Sequence, residues 1–154
     1  MFPVRCLALS LCLFLALPSL AAAQALLPCD GWQASARNLI EPWDQATRTF
    51  ANGKIRIALL DTVEPAAGAF YLMVISPPYD ELGSRSCHLV AEQGGSMGLA
   101  GVYFGGTEAS YDPARGLTIR IPVQRVDIAS GGYYDTVLSI TINQATGDVV
   151  PVFR

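Results

Sequence analysis

Apolar residues recur along most of this chain at every second position, the period of half-buried strands. The exception is residues 68–78, GAFYLMVISPP, a near-continuous apolar run and the longest beyond the first 25 residues. Phe70, Leu72 and Val74 would point one way and Tyr71, Met73 and Ile75 the other, so both faces need cover and the run predicts a central strand. Pro77 and Pro78 should stop it, since neither can donate to a ladder.

The flanking stretches alternate more cleanly. Residues 47–50 and 54–61 surround Asn52-Gly53, the strongest short-range hairpin signal; Ile55, Ile57 and Leu59 should face in while Lys54 and Arg56 face water. Residues 85–92 form a further strand, with Cys87, Leu89 and Ala91 on one face and His88, Val90 and Glu92 on the other. Residues 99–104 are a Gly-interrupted apolar strand, consistent with a bend or a close backbone approach. In residues 111–116, YDPARG, Pro sits at the second position of a type I turn and Gly at the left-handed position of a bulged hairpin. Leu117, Ile119, Ile121 and Val123 then alternate inward. Beyond Arg125 the apolar parity moves to Val126 and Ile128, which predicts a bulge or strand end near Gln124, and Pro122 suggests an outer strand. Leu138, Ile140 and Ile142 form the next inward set, followed by a turn at residues 143–148 and a last strand at 149–153.

One segment reads differently. Asp30 as N-cap and Gln33 three residues on form a capping-box signature, and Trp32, Ala36, Leu39, Ile40 and Trp43 share a helical face, so a short helix is expected over residues 30–40, ending before Pro42. Both tryptophans are expected to pack on the sheet, the alternative being an aromatic ligand platform. Eight or so short strands with regular turn signals indicate an all-β antiparallel sandwich or small barrel with one short N-terminal helix.

Residues 1–25 have the layout of a secretory signal peptide: Arg5, an apolar core from Cys6 to Leu17 too short to span a bilayer, Pro18, and small residues offering cleavage after Ala23 or Ala25. Residues 26–154 have the right length for a single β-rich domain. Without Arg5, 9 basic residues face 13 acidic ones, a net charge of about −4, and no run of like charge exists. Nucleic acid and anionic membrane surfaces are therefore not expected partners. Export to a bacterial periplasm or the extracellular space is expected. The Ala-rich cleavage region points that way, as do Asn38, Asn52 and Asn143, none of which lies in a glycosylation sequon.

Cleavage would also remove Cys6 and Cys12. Cys29 and Cys87 are left, an expected disulfide in an oxidising compartment that would pin the N-terminal segment to the sheet. A metal site is not expected, because two cysteines and one histidine supply neither CxxC nor HxxxH spacing, and no cofactor motif is present.

Candidate chemistry is sparse. Residues 94–98, GGSMG, match the GxSxG nucleophile elbow around Ser96, a remote hydrolase reading. That elbow needs a following helix and a later histidine, whereas the single histidine, His88, comes earlier. His88 alone is read as a structural residue. Asp61 with Glu64, and Asp80 with Glu81, could suggest a glycosidase dyad or a calcium loop but lack the supporting residues and read as solvated turns.

Residues 130–134, SGGYY, fit SGxxY on a loop between two expected strands. In this the chain resembles the bacterial periplasmic lysozyme inhibitors, whose SGxxY loop enters the lysozyme cleft. The resemblance implies that Ser130 and Tyr134 are hydroxyls that hydrogen-bond the lysozyme's catalytic carboxylates, with Gly131 allowing a tight protruding turn. The bland reading of the same five residues is a Gly-Gly hairpin loop flanked by strand-forming tyrosines. The leading expectation is a non-enzymatic exported β domain that acts by binding an unidentified protein or small ligand, or structurally, with lysozyme inhibition as the alternative.

Overall fold

The computed structural model describes residues 26–92, 94–95 and 97–154. The leader, its cleavage sites and Ser96 lie outside the described residues. Two antiparallel five-stranded sheets take up about half of the described residues. In the first, the order is β1 (Leu26–Pro28), β5 (Arg85–Val90), β4 (Phe70–Tyr79), β3 (Ile55–Asp61) and β2 (Thr47–Phe50). In the second, β10 (Val149–Phe153), β9 (Gly132–Ile142), β8 (Gly116–Asp127) and β6 (Gly101–Val102) lie side by side, and β7 (Glu108–Asp112) also pairs with β8. No described helix is long and apolar enough to cross a membrane.

The two sheets share one core. Ile55, Ile57 and Leu59 of β3, Leu72 and Val74 of β4, and Val90 of β5 meet the alternating Leu117, Ile119, Ile121 and Val123 of β8 and Leu138, Ile140 and Ile142 of β9. Most of these are fully buried, each stabilising by about 1.5–3 kcal/mol relative to exposure. β4 is the middle strand of its sheet, as its two-faced apolar run predicts, with Leu59 opposite Leu72 and Leu72 opposite Val90. The hairpins at Asn52-Gly53 and at residues 112–116 also form as expected; at the second, the Ala114 N–H donates to Asp112 Oδ1 at 2.7 Å and Gly116 takes φ 103°.

Six expectations need correction. The prolines do not end β4: pairing with β5 resumes at Tyr79–Arg85 after a register shift, so Pro77 and Pro78 occupy the irregular stretch where no ladder N–H is required. Ser76, just before it, keeps a buried hydroxyl without a partner. Pro122 is not on an outer strand, since β8 is flanked on both sides. The Pro122 carbonyl accepts from Tyr103 N, so its missing N–H falls where β8's neighbour changes from β7 to β6. Nor is there a bulge at Gln124: β8 and β9 pair without a break from Leu117–Ile142 to Asp127–Gly132.

The expected strand at residues 99–104 is shorter than its apolar pattern. Leu99 forms a bridge to Phe70 of the first sheet, Gly101 and Val102 pair with β8 of the second, and Phe104 enters a 3-10 turn. This segment therefore crosses from one sheet to the other. Gly98 precedes the crossing because a Cβ there would collide with the Phe70 carbonyl.

The expected helix at residues 30–40 is instead two 3-10 turns, Trp32–Ala34 and Ala36–Asn38, separated by extended Ser35 (ψ 138°). Neither turn has a side-chain cap. The Asn38 amide donates to the carbonyls of Trp32 and Gln33, competing with a helical ladder. The segment is also tied at both ends, by the Cys29–Cys87 disulfide and by the Leu39–Leu60 bridge, so it lies across the sheet. The one α-helix among the described residues, Trp43–Ala46, follows Pro42.

The disulfide forms as expected, but on the face of the first sheet turned away from the second. There Leu60, Tyr71, Leu89 and Ala91 form a separate cluster roofed by Leu27, Cys29, Ala34 and Leu39. The tryptophans take no part in either core. Ala34 and Ala46 face inward from their turns, leaving Trp32 and Trp43 54% and 58% exposed.

Candidate functional site

The long β8–β9 hairpin carries residues 130–134 at its end. The last inward core residue of β8 is Val123. Past it the hairpin continues for two more inward positions, Arg125 and Asp127, before a tip at residues 128–131. At the tip the Gly131 N–H donates to the Asp127 carbonyl at 2.8 Å, and the Ala129 N–H to Asp127 Oδ1 at 3.0 Å. The Ser130 hydroxyl donates to Asp127 Oδ2 at 2.6 Å and in turn accepts from Gly132 N at 3.2 Å. Gly131 takes φ 71°, where an L side chain is strained. Asp127 thus organises the turn with both carboxylate oxygens, and the Ser130 hydroxyl, then the Ala129 N–H, hold its carboxyl below the ordinary aspartate range. Ile128 at the apex is 92% exposed.

Below the tip lies a feature that the alternation concealed. Arg125 continues the inward face of Ile121 and Val123, and it is balanced by Glu92, which follows β5 in the other sheet. The Arg125 Nε donates to Glu92 Oε1 and Oε2 at 2.9 and 3.0 Å, and Nη2 makes a further short contact with Oε1. Both side chains are close to buried, 14% and 10% exposed. The guanidinium lies 4.1 Å from the centre of the Phe153 ring and 5.6 Å from that of Tyr134, its cross-strand neighbour. The Glu92 hydrogen bond, supported by the charge of Glu92 and by the Tyr134 hydroxyl, raises the Arg125 pKa against the opposing effect of burial. Met97, Val126, Ile128 and Tyr134 surround this pair in a cavity of about 260 Å³.

Ser130 and Tyr134 are therefore on one hairpin end but in different surroundings. Ser130 is part of the turn itself, while Tyr134 lines the cavity and meets Arg125. Gly131 carries the left-handed bend. Glu92 and Arg125 could have been found from the sequence only by holding the β8 alternation through residue 125 and asking which acid neutralises the inward arginine.

The other candidates lie apart from this hairpin end. His88 is half-buried on the same face of β5 as Val90, between Val74 and Pro28 in the ladder. Asp61 caps Val63 N at 2.7 Å and Glu64 caps Ala66 N at 3.2 Å. Asp80 accepts from Leu82 N and Ser84 N at 2.9 and 2.7 Å, and the Ser84 bond above all lowers its pKa. These carboxylates are spent on their own turns. Among the described residues no three His, Cys, Asp or Glu side chains gather into a group that could hold a metal. Comparison with known protein families, curated proteins and solved structures finds no match to the chain.

Proposed function

We propose that the protein is an exported, non-enzymatic binding domain that presents the end of the β8–β9 hairpin, residues 127–134, to a cleft in a partner protein. The observation that carries this reading is a projecting tip locked by Asp127 and Ser130 while it displays Ile128 to solvent. A turn organised before contact loses little entropy on binding, and an exposed apolar apex has area to bury. The disulfide fits the export component of the reading.

A lysozyme cleft is the specific partner that the hydroxyl chemistry favours. The Ser130 hydroxyl donates to Asp127, so towards a partner it acts as an acceptor; the Tyr134 hydroxyl, on a ring beside the Arg125 guanidinium at the cavity, would be the donor of the pair. A retaining lysozyme offers the complement, one protonated carboxylic acid and one ionised carboxylate. The purified protein should slow lysozyme turnover. Ser130→Ala and Tyr134→Phe should each weaken that inhibition with little change in melting temperature. Failure to inhibit any lysozyme type would remove this version.

The broader reading has its own test. A photo-crosslinking residue at Ile128 should capture a discrete partner in the producing cell. The same residue at Lys54, at the other end of the sheets, should not. Identical products from both positions, or none from Ile128, would overturn it.

A further inference from the structure

A second feature, independent of the hairpin, lies on the outer face of the first sheet. The N-terminal segment roofs Leu60, Tyr71 and Leu89, but it stops short of the β2 side. There a groove of about 520 Å³ opens, within the range of small-molecule sites, with Ala34, Ala36 and Leu39 at the roof's edge as one wall. Its floor runs across the ladder, where Ala58 pairs with Met73 and Arg56 with Ile75. Outward positions on a solvated sheet face are ordinarily polar, as Thr47 and Thr49 are here. Ala58, Met73 and Ile75 instead make a contiguous apolar strip that no other part of the described chain covers completely.

The charge of the groove decides what it suits. Its lining includes two arginines and no acidic residue, in a chain with 13 acids against 10 basic residues. The ion pair found among the described residues is Arg125 with Glu92, so neither groove arginine is matched by a carboxylate. Arg48 is committed locally: it donates to the carbonyls of Asp44, Gln45 and Thr47 and stacks on Phe104. Arg56 is exposed, and its described bond is a long one from Nε to the Gly53 carbonyl at 3.4 Å. That leaves the two terminal nitrogens of its planar fork for a ligand, and the fork fits a carboxylate or phosphate.

We propose that this groove binds a single-chain anionic amphiphile, an alkyl carboxylate or alkyl phosphate, with the chain along Ala58, Met73 and Ile75 and the head group on Arg56. Calorimetric titration of the oxidised protein with octanoate, decanoate, decyl phosphate, 1-decanol and decyltrimethylammonium tests it. Decanoate and decyl phosphate should bind one to one, and the two methylenes gained over octanoate should tighten binding about tenfold. A preference between the two head groups would distinguish a fatty acid from a phosphate ester as the natural source. Thr49 lies directly opposite Arg56 on β2 and is exposed, so Thr49→Glu adds a competing carboxylate without disturbing the core. Thr49→Glu and Arg56→Gln should each weaken the anions about tenfold and leave 1-decanol unchanged. Ala58→Trp should abolish binding of all of them.

The proposal is overturned by absence of binding at millimolar decanoate, by equal affinity for the trimethylammonium compound, or by anion binding indifferent to Thr49→Glu. It is also overturned by sedimentation showing a dimer that Ala58→Trp dissociates, which would give the groove to a second copy of the chain.

Discussion

Replacing Cys29 and Cys87 together by serine probes how the N-terminal roof is held. The two cysteines are 58 residues apart in sequence, and chain-entropy theory assigns the closure of such a loop a stabilisation of about 4 kcal/mol, acting on the unfolded chain. Domains of this size are stable by about 5–15 kcal/mol, so the loss is a large share of the total. At the entropy of unfolding expected for this length it corresponds to a fall in melting temperature of about 15 °C. The structure also offers a local response. Without the link, residues 26–39 are held by the three paired rungs between β1 and β5, by the Leu39–Leu60 bridge and by Leu27, Ala34 and Leu39 over the second cluster. Thermal melting followed by circular dichroism, with hydrogen exchange read segment by segment, separates the two. A melting temperature about 15 °C lower, with the roof still protected in the native state, is the expected result. A melt within about 3 °C of the parent with the roof still protected would refute the chain-entropy reasoning. An unchanged melt with rapid exchange confined to the roof would place the effect of the disulfide in local docking. The oxidised, denatured domain should show no free thiol at either position before substitution.

Leu72→Ala should destabilise by about 2–5 kcal/mol in urea unfolding, because Leu72 is fully buried between Leu59 and Val90; a loss below about 1 kcal/mol would show that the core is not packed around β4. Ser76→Ala removes a buried hydroxyl that has no partner and should stabilise by about 1 kcal/mol in the same assay, whereas a comparable loss would mean that the hydroxyl is satisfied. Glu92→Gln leaves the Arg125 guanidinium without its carboxylate and should cost about 3–5 kcal/mol, while Glu92→Leu combined with Arg125→Met should cost far less; equal losses would mean that volume and not charge matters there. Because its pKa is lowered in the folded state, Asp127 contributes stability that is present above its unfolded pKa and is lost as pH falls through the folded value. Carbon NMR of the Asp127 carboxyl should therefore find a midpoint below the ordinary aspartate range that rises in Ser130→Ala, and an unmoved midpoint would contradict the Ser130 bond.

The parts of the fold that are legible in the sequence are those where a local pattern and its tertiary surroundings demand the same thing. Asn52-Gly53 and the Asp112 turn set their hairpins through local chemistry alone, and Leu117 to Val123 alternate because one face of β8 meets the shared core. The helix signal at Asp30 and Gln33 is real as local chemistry but is overridden by anchors at Cys29 and Leu39, which lie far from their partners in sequence. The tryptophans mislead because size is a poor measure of burial: the tight 3-10 turn and the short helix leave room only for alanine beneath them. The hairpin end is half legible. The SGxxY pattern places residues 130–134 between two strands, and the structure has them at the end of the β8–β9 hairpin, but Glu92 comes from the other sheet, and no spacing rule connects residues 33 positions apart.

The apparent parity change at Arg125 carries the physical link between fold and site. An inward position near the end of a shared core is poorly filled by an apolar side chain if the space beyond it is open to solvent, and an arginine can place its stem against the core and its head at the boundary. Here the head stacks on Phe153 and is matched by Glu92, so the charge is compensated where water is partly excluded. The pair in turn holds the guanidinium beside the Tyr134 ring, while Asp127, two residues further along the same face, organises the tip. Core closure and presentation of the hairpin are thus performed by one row of side chains. Any partner that engages Tyr134 should be sensitive to Glu92 even though Glu92 belongs to the other sheet, and a variant at Glu92 that preserved folding yet left such binding untouched would break that link.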